Sequence, residues 1–119
     1  MADQPQKDLG MYRQGDVLLI PTKAAAAGEP ISARSGRHVL LEGEATGHHH
    51  SIDARHGTFT RFRPDDMPSP GSIGLLVING DGARLEHQEH DAIAIPPGSY
   101  EVRRQREFSA AEGFTYVKD

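Results

Sequence analysis

Apolar residues in this chain fall into short runs separated by glycine and proline, and no stretch keeps the spacing of an amphipathic helix. Gln14-Gly15-Asp16 leads into Val17, Leu18, Leu19, Ile20 and Pro21, which reads as a turn feeding a buried strand that the proline ends. Ala24 to Ala27 has helical propensity, but Gly28 and Pro30 stop it at once, so a loop is expected. Arg37 to Glu42 carries Val39, Leu40 and Leu41 at strand length, and Gly43 and Gly47 bracket a bend into a strand bearing three consecutive histidines. Thr58 to Phe62 alternates Thr and Arg with Phe, as a half-exposed strand does. From Arg63 to Ser72 the prolines, paired aspartates and Gly71 favour a surface loop.

Two β-hairpins are predicted next. Ile73 to Ile78 and Ala83 to Gln88 flank Asn79-Gly80-Asp81-Gly82, residues that supply positive φ cheaply. Alternation in the return strand puts Ala83, Leu85 and His87 toward the core, and Arg84, Glu86 and Gln88 away from it. Ala92 to Ile95 then enters Pro96-Pro97-Gly98-Ser99, a sequence suited to a type II turn, before a strand from Tyr100 to Phe108. That strand places Tyr100, Val102, Arg104, Arg106 and Phe108 on one face, and Glu101, Arg103, Gln105 and Glu107 on the other. Phe114 to Val117 offers a last strand. The expectation is an all-β sandwich or barrel of about eight to nine short antiparallel strands, one domain over 11–119 after a flexible arm at 1–10.

Composition narrows the chemistry. At 119 residues one core is expected, and no internal repeat is visible. Thirteen Lys and Arg against 17 Asp and Glu give a net charge of −4, which argues against a protein built mainly to grip phosphates. There is no cysteine, so disulfides, thiolate nucleophiles and Cys-ligated metals are excluded, and any metal must be held by nitrogen and oxygen. The first residues lack the apolar region of a secretory signal, and no run approaches the roughly 20 apolar residues that cross a bilayer. A cytosolic protein without membrane attachment is the default expectation. The triple histidine is internal and does not read as a purification tag.

His48 and His50, at i and i+2 on a strand, share one face and have the spacing to meet one ion, while His49 looks the other way. Further donors come from His87 and His90, with Glu44, Glu89 and Glu101 also available. Imidazole and carboxylate suit a divalent transition metal, Zn, Mn, Fe, Ni or Cu. His38 and His56 stand alone and read as ordinary surface residues. A second class of function rests on arginine. Arg61 and Arg63 share a face with Phe59, and Arg104 and Arg106 share one with Tyr100 and Phe108, a cationic and aromatic mixture that single-stranded nucleic acid can use. Pairing with Glu101, Glu107 or Asp65 competes with that use. No G-x-S-x-G, P-loop or G-x-G-x-x-G motif is present to support hydrolysis or nucleotide chemistry.

Two segments carry a family resemblance. HDAIAIPPGSYEV, residues 90 to 102, resembles the second cupin motif, an apolar strand closed by a proline and glycine turn, with Pro96-Pro97-Gly98 at that turn. GEATGHHH resembles the first motif, whose two histidines one residue apart are metal ligands, and His48 and His50 take those places. The glutamate that follows the paired histidines in cupins is missing, as Ile52, Asp53, Ala54 and Arg55 occupy the neighbourhood, and Glu101 falls near the position of the second-motif histidine. The resemblance implies a small cupin-like β-barrel that assembles as a homodimer through exposed strands. It also implies a metal on His48 and His50, with Glu101 near the second-motif position; with the donors above, the expected site is His48 and His50 plus His87 or His90, or Glu101, with a small polar ligand at the open mouth.

Overall fold

The computed structural model describes residues 10–23, 28–43, 47–109 and 113–116, the last strands (106–109 and 113–116) by backbone alone. The predicted N-terminal arm, apart from Gly10, and the Ala24 to Ala27 loop lie outside the described residues, as does the candidate donor Glu44. The described chain is all-β: twelve strands and two one-turn 3-10 helices. More strands form than the eight or nine expected, because short pieces such as β3 (Glu29–Pro30) pair and the long strand expected from Tyr100 breaks at Gln105.

One sheet has six strands. Its order is β1 (Tyr12–Gln14), β2 (Val17–Pro21), β10 (Gly98–Arg104), β7 (Ser72–Ile78), β6 (Gly57–Arg61) and β3, every neighbour antiparallel. Facing it are two pairs, β4 (Arg37–Glu42) with β5 (His49–Asp53), and β8 (Ala83–Leu85) with β9 (Ile93–Ile95). These pairs are stitched into one surface by an antiparallel bridge in which the Ser51 and Glu86 amides each donate to the other's carbonyl, at 3.0 and 2.9 Å. β11 (Arg106–Ser109) and β12 (Gly113–Tyr116) form a separate antiparallel hairpin.

The core is the space between the sheets. Val17, Leu19, Phe59, Leu76, Ile78, Tyr100 and Val102 enter from the six-stranded side, and Leu40, Ile52, Ala83, Leu85 and Ile95 from the other. Within the apolar run of β2, Val17 and Leu19 are fully buried while Leu18 and Ile20 are only partly so, the alternation that a pleated strand imposes. Each fully buried aliphatic or Phe side chain is worth roughly 1.5–3 kcal/mol of transfer free energy. Gly74 on β7 has no room for a Cβ, which would run into the Thr60 carbonyl and the ring of Phe59. Asp53 ends β5 by capping the 3-10 turn Ala54–His56, its Oδ1 accepting from the Arg55 amide at 2.9 Å. The Arg55 guanidinium bonded to that carboxylate holds it well below the usual Asp range.

Both hairpin expectations are corrected. β7 and β8 follow one another through the Asn79 to Gly82 turn but belong to different sheets, and the same is true of β9 and β10. β7 has both edges taken, by β6 and β10, and β10 has both taken, by β7 and β2, so neither can pair with its sequence neighbour. The positive-φ glycines Gly80 and Gly82, and Gly98 in the second case, turn the chain across the sandwich instead of back along the same sheet. Among the described residues no helix is long and apolar enough to cross a membrane.

Candidate functional site

The histidines meet because of register. The isolated antiparallel bridge from Ser51 to Glu86 brings the residues that follow it in one segment against those that precede it in the other, so that His50 comes near His87, His49 near Gln88 and His48 near Glu89. Contacts follow that pairing. The His49 amide donates to Gln88 Oε1 at 2.8 Å, and His48 Nε2 lies 3.7 Å from Glu89 Oε2. The burial pattern from Ala83 to Gln88 alternates as expected, with Ala83, Leu85 and His87 inside and Arg84, Glu86 and Gln88 outside.

His87 is the centre of the cluster. Its ring centroid lies 4.4 Å from that of His50, 4.6 Å from His90 and 5.6 Å from His48, and His50 and His90 are 5.9 Å apart. Two imidazoles bound to one ion at about 2.1 Å bring their centroids to roughly 4.5–5.5 Å, so these rings sit near ligand spacing. The expected set is thereby rearranged: His50, His87 and His90 close a triangle, and His48 stands to one side against His87 and Glu89.

His50 is fully buried and held at Nδ1. Gln14 Nε2 donates to the carbonyls of Leu85 (2.9 Å) and Asp91 (2.8 Å), which leaves Gln14 Oε1 to accept from His50 Nδ1 at 2.8 Å. The proton on His50 is therefore assigned to Nδ1, and Nε2 faces Asp16 Oδ1 at 3.3 Å. Asp16 is also fully buried, and its Oδ2 accepts from Arg104 Nε at 3.1 Å. Fixing a histidine through its far nitrogen is how proteins prepare Nε2 as a metal ligand. His87 is set differently. Its Nδ1 accepts from the Glu89 amide at 3.0 Å, so in the neutral ring Nε2 carries the proton. In this pose Nε2 of His87 can only donate, and it becomes a ligand only by giving up the Glu89 bond. As the side chains stand, no three His, Asp or Glu groups among the described residues could hold one ion. The rings have converged; the donor atoms have not.

Other candidates lie elsewhere. Glu101 does not join the histidines: it projects from the opposite face of β10 to Tyr100 and Val102, buried, accepting from Ser72 Oγ and from Arg103 Nε at 3.0 Å. Its position in the strand is odd where the core-facing residues are even, so no small shift brings it inward. His38, expected at the surface, is buried, with Nε2 3.1 Å from the Gly57 carbonyl, because β4 turns that residue toward β6. His56 is exposed.

The arginines do not make one face. Arg61 and Arg63 are exposed at the end of β6, where Arg61 borders a cleft of about 520 Å³ between β4 and β6. Arg104 is turned inward to Asp16, and the side chain of Arg106 lies outside the described residues. Sequence reasoning missed Gln14 and Asp16. The available signal was two polar residues flanking a glycine immediately before a strand that buries Val17 and Leu19, a place where side chains are carried inward with it.

Neither a curated protein nor a solved structure matches the chain. A family model does match, over residues 13–105, a span that contains Gln14, Asp16, the four clustered histidines and Arg104. The chain belongs to the family described as Domain of unknown function (DUF8820).

Proposed function

We propose that this protein binds one divalent transition-metal ion, zinc, manganese, iron or nickel, in the histidine cluster between its two sheets, and that a small polar ligand shares the ion. The observation that carries the reading is the convergence of His48 and His50 with His87 and His90, two distant segments, around the buried ring of His87. His50 lies inside β5 and His87 two residues past the end of β8, each on the inward side that Ile52 and Leu85 fill with apolar side chains. Aliphatic side chains there would stabilise the domain more, since burying polar groups costs about 1–3 kcal/mol wherever a hydrogen bond is imperfect. A departure of this kind from the local pattern is expected at functional positions.

Donor chemistry supports the same reading. With no cysteine in the chain, imidazole nitrogen and carboxylate oxygen are the donors available, and these suit borderline divalent ions. His50, held at Nδ1 by Gln14, offers Nε2. His87 joins as a ligand after a ring turn, or else donates Nε2–H to a ligand on the ion. A metal with an open position acts as a Lewis acid toward a bound oxygen. The cupin resemblance of the two histidine-bearing segments points to the same class of protein.

A metal that binds only the folded chain raises its stability, by about 2.7 kcal/mol at a hundred times the dissociation constant. Zinc is therefore expected to raise the melting temperature of the untagged protein by several degrees, and to do so no longer in the His48→Ala/His50→Ala double variant. Melting curves unmoved by zinc, manganese, iron and nickel alike would remove the proposal.

A further inference from the structure

The geometry points to Asp16 as the carboxylate ligand of this metal site, an inference that rests on the metal reading above. Asp16 lies in the turn between β1 and β2, far in sequence from both histidine segments. Its Oδ1 is 3.3 Å from His50 Nε2, and both side chains are fully buried. Two donors bound to one ion at about 2.0–2.1 Å with a tetrahedral angle between them stand roughly 3.3 Å apart. The pair is thus already at the separation of neighbouring ligands.

Each atom of the pair is positioned from behind. Gln14, anchored on the Leu85 and Asp91 carbonyls, keeps the His50 proton on Nδ1 and so keeps Nε2 on the Asp16 side. Arg104 Nε takes Oδ2 of Asp16, which leaves Oδ1 as the oxygen that faces His50. The backbone joins in: the Gln105 amide donates to the Asp16 carbonyl at 2.8 Å, fastening the turn to the end of β10. Outer partners of this type orient ligands in known metal sites. His87, 4.4 Å from His50 between ring centres, lies close enough for its turned ring to supply a third donor. A ligand set of imidazoles and one carboxylate favours Zn²⁺, Mn²⁺ or Fe²⁺ over Cu⁺, which prefers sulfur.

The same 3.3 Å also serves a buried imidazolium and carboxylate pair with no metal role, and the two readings part on Asp16→Asn. Zinc affinity is measured by competition with a chromophoric chelator on the untagged full chain, wild type and Asp16→Asn, with circular dichroism in chelator to confirm that each is folded. The inference expects zinc binding by wild type and at least about tenfold weaker binding by Asp16→Asn. Equal affinities overturn Asp16 as a ligand while leaving the histidine site standing; no binding by wild type overturns the metal reading itself. Asp16→Asn removes the carboxylate that pairs with Arg104, so a zinc-loaded crystal of wild type supplies a reading that does not depend on the variant folding. Anomalous density bonded to Asp16 Oδ1 at about 2 Å supports the inference. Density on imidazoles alone, with Asp16 beyond bonding distance, overturns it.

Discussion

At the scale of single residues, Gln14 carries more than its position in a short edge strand suggests. One carboxamide satisfies two carbonyls and a histidine, with the bonds to Leu85 and His50 buried and the one to Asp91 partly so. Gln14→Leu keeps the volume and strands all three partners, each worth about 1–3 kcal/mol when buried and unpaired. We expect a loss of at least about 2 kcal/mol in the denaturant midpoint analysis, and a change in the His50 ring-nitrogen signals by NMR. A loss under 0.5 kcal/mol, with those signals unmoved, would show that the carboxamide is not what holds the ring.

Tyr100 gives a prediction in pH. Burial, with Tyr12 close by, holds its phenol above the usual 10.0, and its hydroxyl donates to the Pro96 carbonyl at 2.8 Å. The folded chain therefore keeps this proton more tightly than the unfolded chain. The resulting stabilisation is complete below pH 10 and is lost as the pH rises through the folded value. Unfolding titrations of wild type should show stability falling above pH 10, and Tyr100→Phe should flatten that fall. Parallel curves for the two proteins would contradict the assignment.

At the scale of elements, the strands were legible and their partners were not. Periodicity in Ala83 to Gln88 placed His87 inside, and the boundaries of Arg37–Glu42 were readable because a charged residue stands at each end of an apolar run. Pairing was misread because turn chemistry is local, whereas the choice between folding back and crossing to the other sheet depends on which edges are already occupied. Asn79 to Gly82 looks like a hairpin turn, and only the placement of β6 and β10 on either side of β7 makes it a crossing. The Ser51 to Glu86 bridge, which brings the histidines together, was equally hidden, since nothing local marks two such residues as partners.

The crossing has a consequence. A connection between sheets does not set a hairpin register, so two glycines inserted between Gly80 and Asp81 should cost less than about 1 kcal/mol, near the small entropy of a longer loop. A loss of several kcal/mol would indicate a register-setting hairpin. By contrast Gly74→Ala, which forces a methyl between β7 and the Thr60 carbonyl, should cost about 1–3 kcal/mol by overpacking. An unchanged midpoint would mean the strands separate more easily than their packing implies.

At the scale of the molecule, two sheets enclose an apolar core that changes character at one end, where Leu85 gives way to His87 and Ile52 to His50. The fold class was readable from short runs and turns, and the histidines were readable as a set. What the chain did not announce was the supporting layer, Gln14 and Asp16 against His50 and Arg104 behind Asp16, because those residues come from the opposite sheet and its turn and reach the histidine only when the sandwich closes. Glu101 misled for the opposite reason: its type and approximate place suited a ligand, but strand parity sent it to the other face.

The account turns on metal capture by the folded cluster, and the metal content of the protein tests that most directly. Untagged wild type and the His50→Ala/His87→Ala double variant would be equilibrated with zinc, desalted and measured by inductively coupled plasma mass spectrometry. The account predicts about one ion per wild-type chain and next to none in the variant, with both chains folded by circular dichroism. Equal trace metal in the two, or full loading of the variant, would contradict it.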